Sequence, residues 1–537
     1  MLNEQLIPAT SGRVLRCLAL RTQTAGADAF PIAPAQIDNG DEALYADKSG
    51  TYTKGVLQSG IGLVDLAAYQ SFKNALSSGA PADFENIVLG GPRTLNGPQG
   101  GLAFYSGCPD ASFFAVPPAP ALASEAYATE LVELYWASLL RDVAFTDYPT
   151  NSTAKKAAAE LSTMPAYAGP RNAAGQVTPE LLFRGGFGDP AKAKSFAGEL
   201  DGPYVSQFLL QPTALGALEI TQKYVTNQSG ADFMKTPAEF LDVQNGIDTG
   251  KKLTPGAALY LHDGRGLAAY THADVLYQAY FIAYLVLNTP MLNNNGVPWP
   301  LNPGNPYATG QPSAKTQNGF ASLGQPDIAA TLAAVAGEAL KAVWYQKWWV
   351  HLRHRPESGG AIVHLVKTGQ AGTIQGHVSN TVLNSQAVQD SFVANQNSYF
   401  LSQAFPEGSP THPAYPTGHG TVAGACITAL KFFFDGTATF QDPVAPSSDG
   451  ITLSKYNAPA GEQPLTVNGE LHKLAHNISF GHGIHAGIHW RSDTDTSIQL
   501  GEAVALRFLQ DRALTYNESF SISLTKLDGT IATISNP

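Results

Sequence analysis

Apolar positions along this chain recur mostly at helical spacing and only seldom alternate as they would in strands. Val64–Ser77 carries apolar residues at three- and four-residue steps. Ser124 caps a second run with an apolar stripe through Leu131, Leu134, Tyr135 and Leu139, and a turn leads into Ala154–Ser162. His272–Asn288 is apolar nearly all round, the pattern of a helix covered on every side. Pro326 and Asp327 open a helix running towards Arg353, and Ser385–Ala404, His419–Phe434 and Ile498–Leu514 predict three more. The final SFSISLTKLDGTIATI reads as a β-hairpin turning at Asp528-Gly529. Residues 1–120 are rich in Pro and Gly clusters, Thr178–Gln211 is irregular, and Thr289–Gln325 is too long to be mere connection. No repeat of fixed period and no dividing linker interrupts this order. The pattern predicts one large, mainly α domain over residues 1–537, with a loop-rich part over 1–120, the site-bearing helices over 326–515, and a small C-terminal hairpin.

Composition narrows the picture. With 537 residues, 44% of them apolar and 14% charged, the chain builds a large core and is not disordered. A net charge of -11 without any Lys/Arg run argues against general nucleic-acid binding. Cys17, Cys108 and Cys426 are scattered and have neither metal-type spacing nor the look of a disulfide framework. The start lacks a basic end followed by a long apolar run, and the longest apolar stretch, Ala279–Leu287, is too short to span a bilayer. A soluble protein is therefore expected.

Three segments carry candidate chemistry. In WYQKWWVHLRHRPE, Lys347 and Arg355 stand a little over two helical turns apart, so both can project to one side as the helix ends before Pro356. Two neighbouring cations invite an anion; a solvated helix end complementing the dipole accounts for the same residues. Pro416-Thr417-Gly418-His419 places a hydroxyl and a glycine N–H before a helix of small residues, where an oxyanion can be cradled. His419 would stand at the rim as acid and base; a plain N-cap turn is the other reading. NISFGHGIHAGIHWRSD packs His482, His485 and His489 among small residues, and imidazole is the commonest metal ligand and proton carrier. Asp493, four residues after His489, can orient its ring.

Taken in order, Lys-(seven residues)-Arg-Pro, Pro-Thr-Gly-His and His-(three residues)-Asp resemble the vanadium-dependent haloperoxidases, above all the algal and cyanobacterial bromoperoxidases. VELYWASLLRDVAFTDY (132–148), GPYVSQFLL (202–210), HADVLYQAY (272–280), LKAVWYQKWWVHLRHRPE (340–357) and GIHWRSD (487–493) extend the likeness over most of the chain. The resemblance implies a helical bundle of the vanadium haloperoxidase/acid phosphatase type with vanadate held at its mouth. His489 would bind the metal, while Lys347, Arg355, Thr417 and the Gly418 N–H would hold its oxygens. His419 would assist proton transfer. Halide would be oxidised by hydrogen peroxide to hypohalous acid, which halogenates small organic substrates. His412, seven before His419, is the bromoperoxidase residue and Trp344, three before Lys347, the fungal one; bromide is expected because it is the easier of the two to oxidise. Phosphate in the same site, a homo-oligomer of two or more chains, and a structural calcium near Asn305–Gln325 are further implications.

The chain also departs from that family. Thr417 stands for the usual serine and Gly420 for a common alanine, both mild changes. The family's second arginine, six residues before the metal-binding histidine, is here Gly483, and one inserted residue brings His482 opposite it. No arginine lies between Arg355 and Arg491. Losing such a donor costs about 3 kcal/mol at an oxyanion. Protonated His482 or His485 is the expected stand-in, which would make vanadate affinity fall as pH rises. Asp274, similar to the acid that pairs with the arginine, would then meet a histidine. A phosphatase using His489 as nucleophile, and an inactive relative that binds phosphate or vanadate without oxidising halide, are the alternatives.

Overall fold

A computed structural model describes residues 15, 17–22, 26, 33–104, 110–186, 199–289 and 299–536. The helices that position the site are Leu66–Ser78 (α1), Glu125–Leu140 (α2), Ser152–Ser162 (α3), Gly264–Tyr270 (α4), Gln278–Asn288 (α5), Gln325–Tyr345 (α6), Pro356–Lys367 (α7), Gln386–Ala394 (α8), Gly418–Phe433 (α9), Val467–Phe480 (α10) and Arg491–Ala513 (α11). Every residue of α9 is buried, so it is the axis of the bundle. Helix α11 lies along it on one side, with α6 and α10 on others. Small residues make that approach possible: a Cβ on Gly424 would collide with the Ile498 carbonyl, and one on Gly501 with the Thr421 carbonyl. Helices α9 and α11 thus touch backbone to backbone. The main apolar cluster runs from Tyr45 to Ile534 and takes in residues of α2, α3, α5, α6 and α9 to α11.

Caps set several of the boundaries. Ser124 accepts the Tyr127 N–H at 3.1 Å and starts α2 where the sequence predicts. Asp493 accepts the Trp490 N–H at 3.1 Å and starts α11 two turns before the predicted Ile498. The earlier turns were hidden by their polar sequence, RSDTDTS, although Arg491, Asp493, Thr494 and Ser497 are buried. Helix α5 begins at Gln278 instead of His272. The preceding residues turn away because His272 stacks on Phe405 and pairs with Glu407 at 2.6 Å, and Asp274 is drawn to His419. Helix α8 stops at Ala394, short of the predicted Ala404, where Gln396 and Asn397 take left-handed backbone angles of 57° and 70°. Helix α6 passes into a π-turn over Gln346–His351 and ends at Leu352, also left-handed with φ 44°.

The strands among the described residues form two-stranded antiparallel pairs only. Phe520–Thr525 (β1) and Ile531–Asn536 (β2) make the predicted hairpin, paired from Ile531 opposite Thr525 to Asn536 opposite Phe520. Gly529 at φ 80° turns it. The expectation that no apolar stretch reaches bilayer length needs correcting. By length and composition the helical run Gln325–His351 is long and apolar enough, although here it packs against α9 and α11.

Candidate active site

Three chain segments meet at the N-terminal end of α9. The first is the π-turn that ends α6, with the cap of α7. π-turns widen a helix by one residue and recur at functional sites. Lys347 on this turn is fully buried, and its Nζ donates to the carbonyls of Pro413 and Ala414, both at 2.8 Å. Burial and the neighbouring Arg355 hold its ammonium well below the usual lysine range. Arg355 occupies the N-cap position of α7 ahead of Pro356. Its Nε donates to the His412 carbonyl at 2.9 Å, and its Nη1 to the Ile488 carbonyl at 2.8 Å. Burial lowers it to about 10. Among the described residues neither cation has a carboxylate in contact. Glu357, the nearest in sequence, is taken by Lys54 at 2.6 Å and by the Ser409 N–H at 2.7 Å.

The second segment is the loop that leads into α9. Thr417 stands at the N-cap of the helix, and its buried Oγ1 has no hydrogen-bond partner among the described residues. The first N–H groups of α9, beginning with Gly418, have no carbonyl within the helix. His419 lies in the first turn with Nε2 2.9 Å from Asp274 Oδ1. The His412 ring sits 4.8 Å from that of Trp344, and its Nδ1 is 3.0 Å from Arg355 Nη2. Trp344 in turn donates to the Asn96 carbonyl at 3.1 Å.

The third segment is a second π-turn, Gly481–His485, followed by the start of α11. His489 is fully buried; its Nδ1 is 2.9 Å from Asp493 Oδ2 and its Nε2 2.8 Å from Arg355 Nη1. A carboxylate only accepts and a guanidinium only donates, so Nδ1 carries the proton and Nε2 the lone pair. Burial with Arg355 and Lys347 nearby pushes this imidazole well below its ordinary range, which keeps the lone pair available. His482 stacks on His419 at 3.7 Å and stands 5.7 Å from the His489 ring. His485 turns the other way: its Nε2 meets the Tyr204 hydroxyl at 2.9 Å, and Phe145 and Phe183 flank the ring.

The structure separates the two expected stand-ins. His485 does not face the site, because the wide turn sends it into an aromatic cage. His482 does face it, but burial together with His419, His489 and Arg355 drives its imidazole well below the ordinary range. One important residue was missed. Arg353 donates to Asp493 Oδ1 at 2.7 Å and Glu130 Oε2 at 2.9 Å, and lies over the Trp490 ring. Its only signal was a second arginine in HLRHRPE.

Two buried cations that pair with no carboxylate among the described residues, a hydroxyl with no partner among them, the first N–H groups of α9 and one imidazole lone pair together suit a tetrahedral oxyanion with a metal centre. The chain is 31% identical to the vanadium-dependent bromoperoxidase of Corallina pilulifera, over 92% of this chain and 93% of that one. The chain belongs to the vanadium-dependent haloperoxidase family. It is also 30% identical to the vanadium-dependent bromoperoxidase of Ascophyllum nodosum, over 92% of this chain and 87% of that one. The family model for the VCPO second helical-bundle domain matches residues 327–517, which hold all three segments of this haloperoxidase site. The fold matches the homohexameric structure of the second vanadate-dependent bromoperoxidase of Ascophyllum nodosum with a TM-score of 0.87 at 26% identity, covering 99% of this chain and 92% of that one. The helical-bundle fold expected from the sequence is the one observed.

The calcium expectation gains no support. Asn305–Gln325 contains no Asp or Glu, and among the described residues no group of three or more His, Cys, Asp or Glu could hold a metal ion.

Proposed function

We propose that the site binds vanadate and that the protein is a bromoperoxidase, oxidising bromide with hydrogen peroxide to hypobromous acid that halogenates small organic molecules. The observation that carries this reading is His489 Nε2, a buried lone pair fixed by Asp493, 2.8 Å from Arg355 Nη1 and with Lys347 nearby, two cations that pair with no carboxylate among the described residues. The donor set fits the group. His489 would bind the metal, and Lys347, Arg355, Thr417 and the Gly418 N–H would hold the oxygens. Bound vanadate supplies a Lewis-acidic centre at which peroxide is activated for oxygen transfer to halide.

The chain's own residues do the rest. Asp493 keeps the proton on His489 Nδ1, a carboxylate–histidine arrangement that orients a ligating ring. Lys347 and Arg355 neutralise the oxyanion where little water competes, so their charge acts at low dielectric. His419 exchanges the proton of the incoming peroxide. His412 and Trp344 form the wall on which we place the halide. Phosphate, alike in shape and charge, competes for the same donors. We read residues 1–537 as one domain around the apolar cluster that runs from Tyr45 to Ile534, and as a homo-oligomer, in keeping with the homohexameric neighbour. The phosphatase-like and inactive alternatives are not favoured by relatives that match over nearly the whole chain.

The test is to strip the protein of oxyanion, add orthovanadate, and follow bromination of monochlorodimedone with peroxide and bromide, with para-nitrophenyl phosphate hydrolysis alongside. Bromination that appears only with vanadate is expected. Phosphate-ester hydrolysis without bromination, or neither activity, overturns the reading.

A further inference from the structure

A π-turn inserts one residue into a helix, and Gly481–His485 is such a turn. The Gly483 carbonyl takes the N–H groups of Gly487, Ile488 and His489 at 3.0, 2.9 and 3.2 Å, which ties the loop tightly around position 483. A Cβ on Gly483 would stand 3.1 Å from His489 Cβ, a tight contact that asks the neighbour to give by a few tenths of an ångström. The turn instead presents His482, whose ring lies flat against His419, 3.7 Å between centroids with the planes 26° apart. His482 Nδ1 is 3.3 Å from the Thr271 carbonyl, so that nitrogen carries the proton and anchors the ring from behind.

Asp274 completes the arrangement. Its side chain is 6% exposed, and among the described residues no lysine or arginine pairs with it. Its partner is His419 Nε2 at 2.9 Å. A carboxylate accepts, so His419 holds a proton on Nε2, and in the neutral ring the lone pair is then the one on Nδ1.

We propose that Asp274 and His482 are positioning residues for His419. Asp274 fixes the tautomer so that Nδ1 is the proton acceptor, and His482 blocks rotation of the ring by lying against its face. In the step they support, a peroxide O–H bond breaks and an N–H bond forms at His419 Nδ1. The imidazolium is then balanced by Asp274, and the hydroperoxide anion by Lys347 and Arg355. This rests on the haloperoxidase reading for the identity of the acid that gives the proton, but not for the tautomer.

The experiment uses the full chain labelled with 15N-histidine and free of added oxyanion. Solid-state NMR reads the His419 tautomer, assigned by the signal lost in His419→Gln. Wild type and Asp274→Glu are expected to show Nε2–H, and Asp274→Asn a mixture or reversal; an unchanged tautomer in Asp274→Asn overturns the proposal. Calorimetric titration of orthovanadate into Asp274→Asn should give nearly the wild-type affinity while kcat falls about 100-fold, the low end of what a positioned acid–base group contributes. A vanadate affinity that falls as far as turnover also overturns it, because Asp274 would then be holding the oxyanion site together. His482→Phe, which keeps a stacked ring, should retain turnover that His482→Ala loses; equal losses count against the stacking role. Absence of bromination by wild type would sink the functional reading, while the tautomer measurement would still decide the Asp274 assignment.

Discussion

Asp493→Asn is the substitution that separates holding the metal ligand from holding the fold. Asp493 is fully buried and works with both oxygens: Oδ2 accepts from His489 Nδ1 at 2.9 Å and the Trp490 N–H at 3.1 Å, and Oδ1 accepts from Arg353 Nη1 at 2.7 Å. An asparagine keeps the shape but has one oxygen and one NH2. With its oxygen towards His489, the NH2 faces a buried guanidinium. With its oxygen towards Arg353, the NH2 faces His489 and the Trp490 N–H, which favours the tautomer with the proton on Nε2 and removes the lone pair the metal needs. Outer partners of metal-binding histidines are worth about 10- to 100-fold in affinity, which is roughly 1.4 to 2.7 kcal/mol. Breaking a buried ion pair costs about 3 to 5 kcal/mol of stability, and the low end applies because Arg353 keeps Glu130 at 2.9 Å. Calorimetric titration of stripped protein with orthovanadate measures the first effect, and denaturant unfolding the second. A variant that binds vanadate within about twofold of wild type, against the 10- to 100-fold expected, would refute the role given to the tautomer.

Lys347→Met should weaken vanadate binding by about 100-fold, the cost of one removed oxyanion donor, yet raise the unfolding midpoint. Lys347 is a buried ammonium held by two carbonyls and no carboxylate, so an apolar chain of similar length relieves its desolvation; a lower midpoint would contradict this. Thr417→Val should lose about tenfold in vanadate affinity without destabilising the fold, because among the described residues the buried hydroxyl has no partner to lose; a destabilised variant in unfolding curves would count against it. Acid should destabilise the protein through its buried neutral histidines. Burial lowers His351, His354 and His485 from 6.5 to about 3 each. Between those values the unfolded chain binds more protons than the folded one. The stability from these groups is therefore fully present above pH 6.5 and is lost as pH falls towards 3, by up to about 1.4 kcal/mol per unit for each group. Denaturant midpoints that stay flat across this range would contradict the assignment.

Much of the site was legible because each motif marks a helix end. Pro356 places Arg355 at a cap, and Gly418 with its small successors opens α9. The spacing of Asp493 from His489 puts one carboxylate on one ring. What periodicity could not reveal was the two π-turns. Three residues apart, His482 and His485 would share a face in an α-helix; the wider turn sends one to His419 and the other to Tyr204. Nor could it reveal pairings across long sequence distance, such as Arg353 with Glu130 on α2. The start of α11 was missed for a different reason: its first turns are polar in sequence but buried around Glu133 and Asp493. Hydropathy reports what a residue avoids in water, and buried ion pairs evade that signal.

The central claim is that His489 Nε2 is the metal ligand. X-ray absorption at the vanadium edge, on protein loaded with orthovanadate, tests it most directly. The account predicts one imidazole nitrogen bound to vanadium in wild type and none in His489→Ala. An oxygen-only shell in wild type, or a nitrogen that persists without His489, would contradict it.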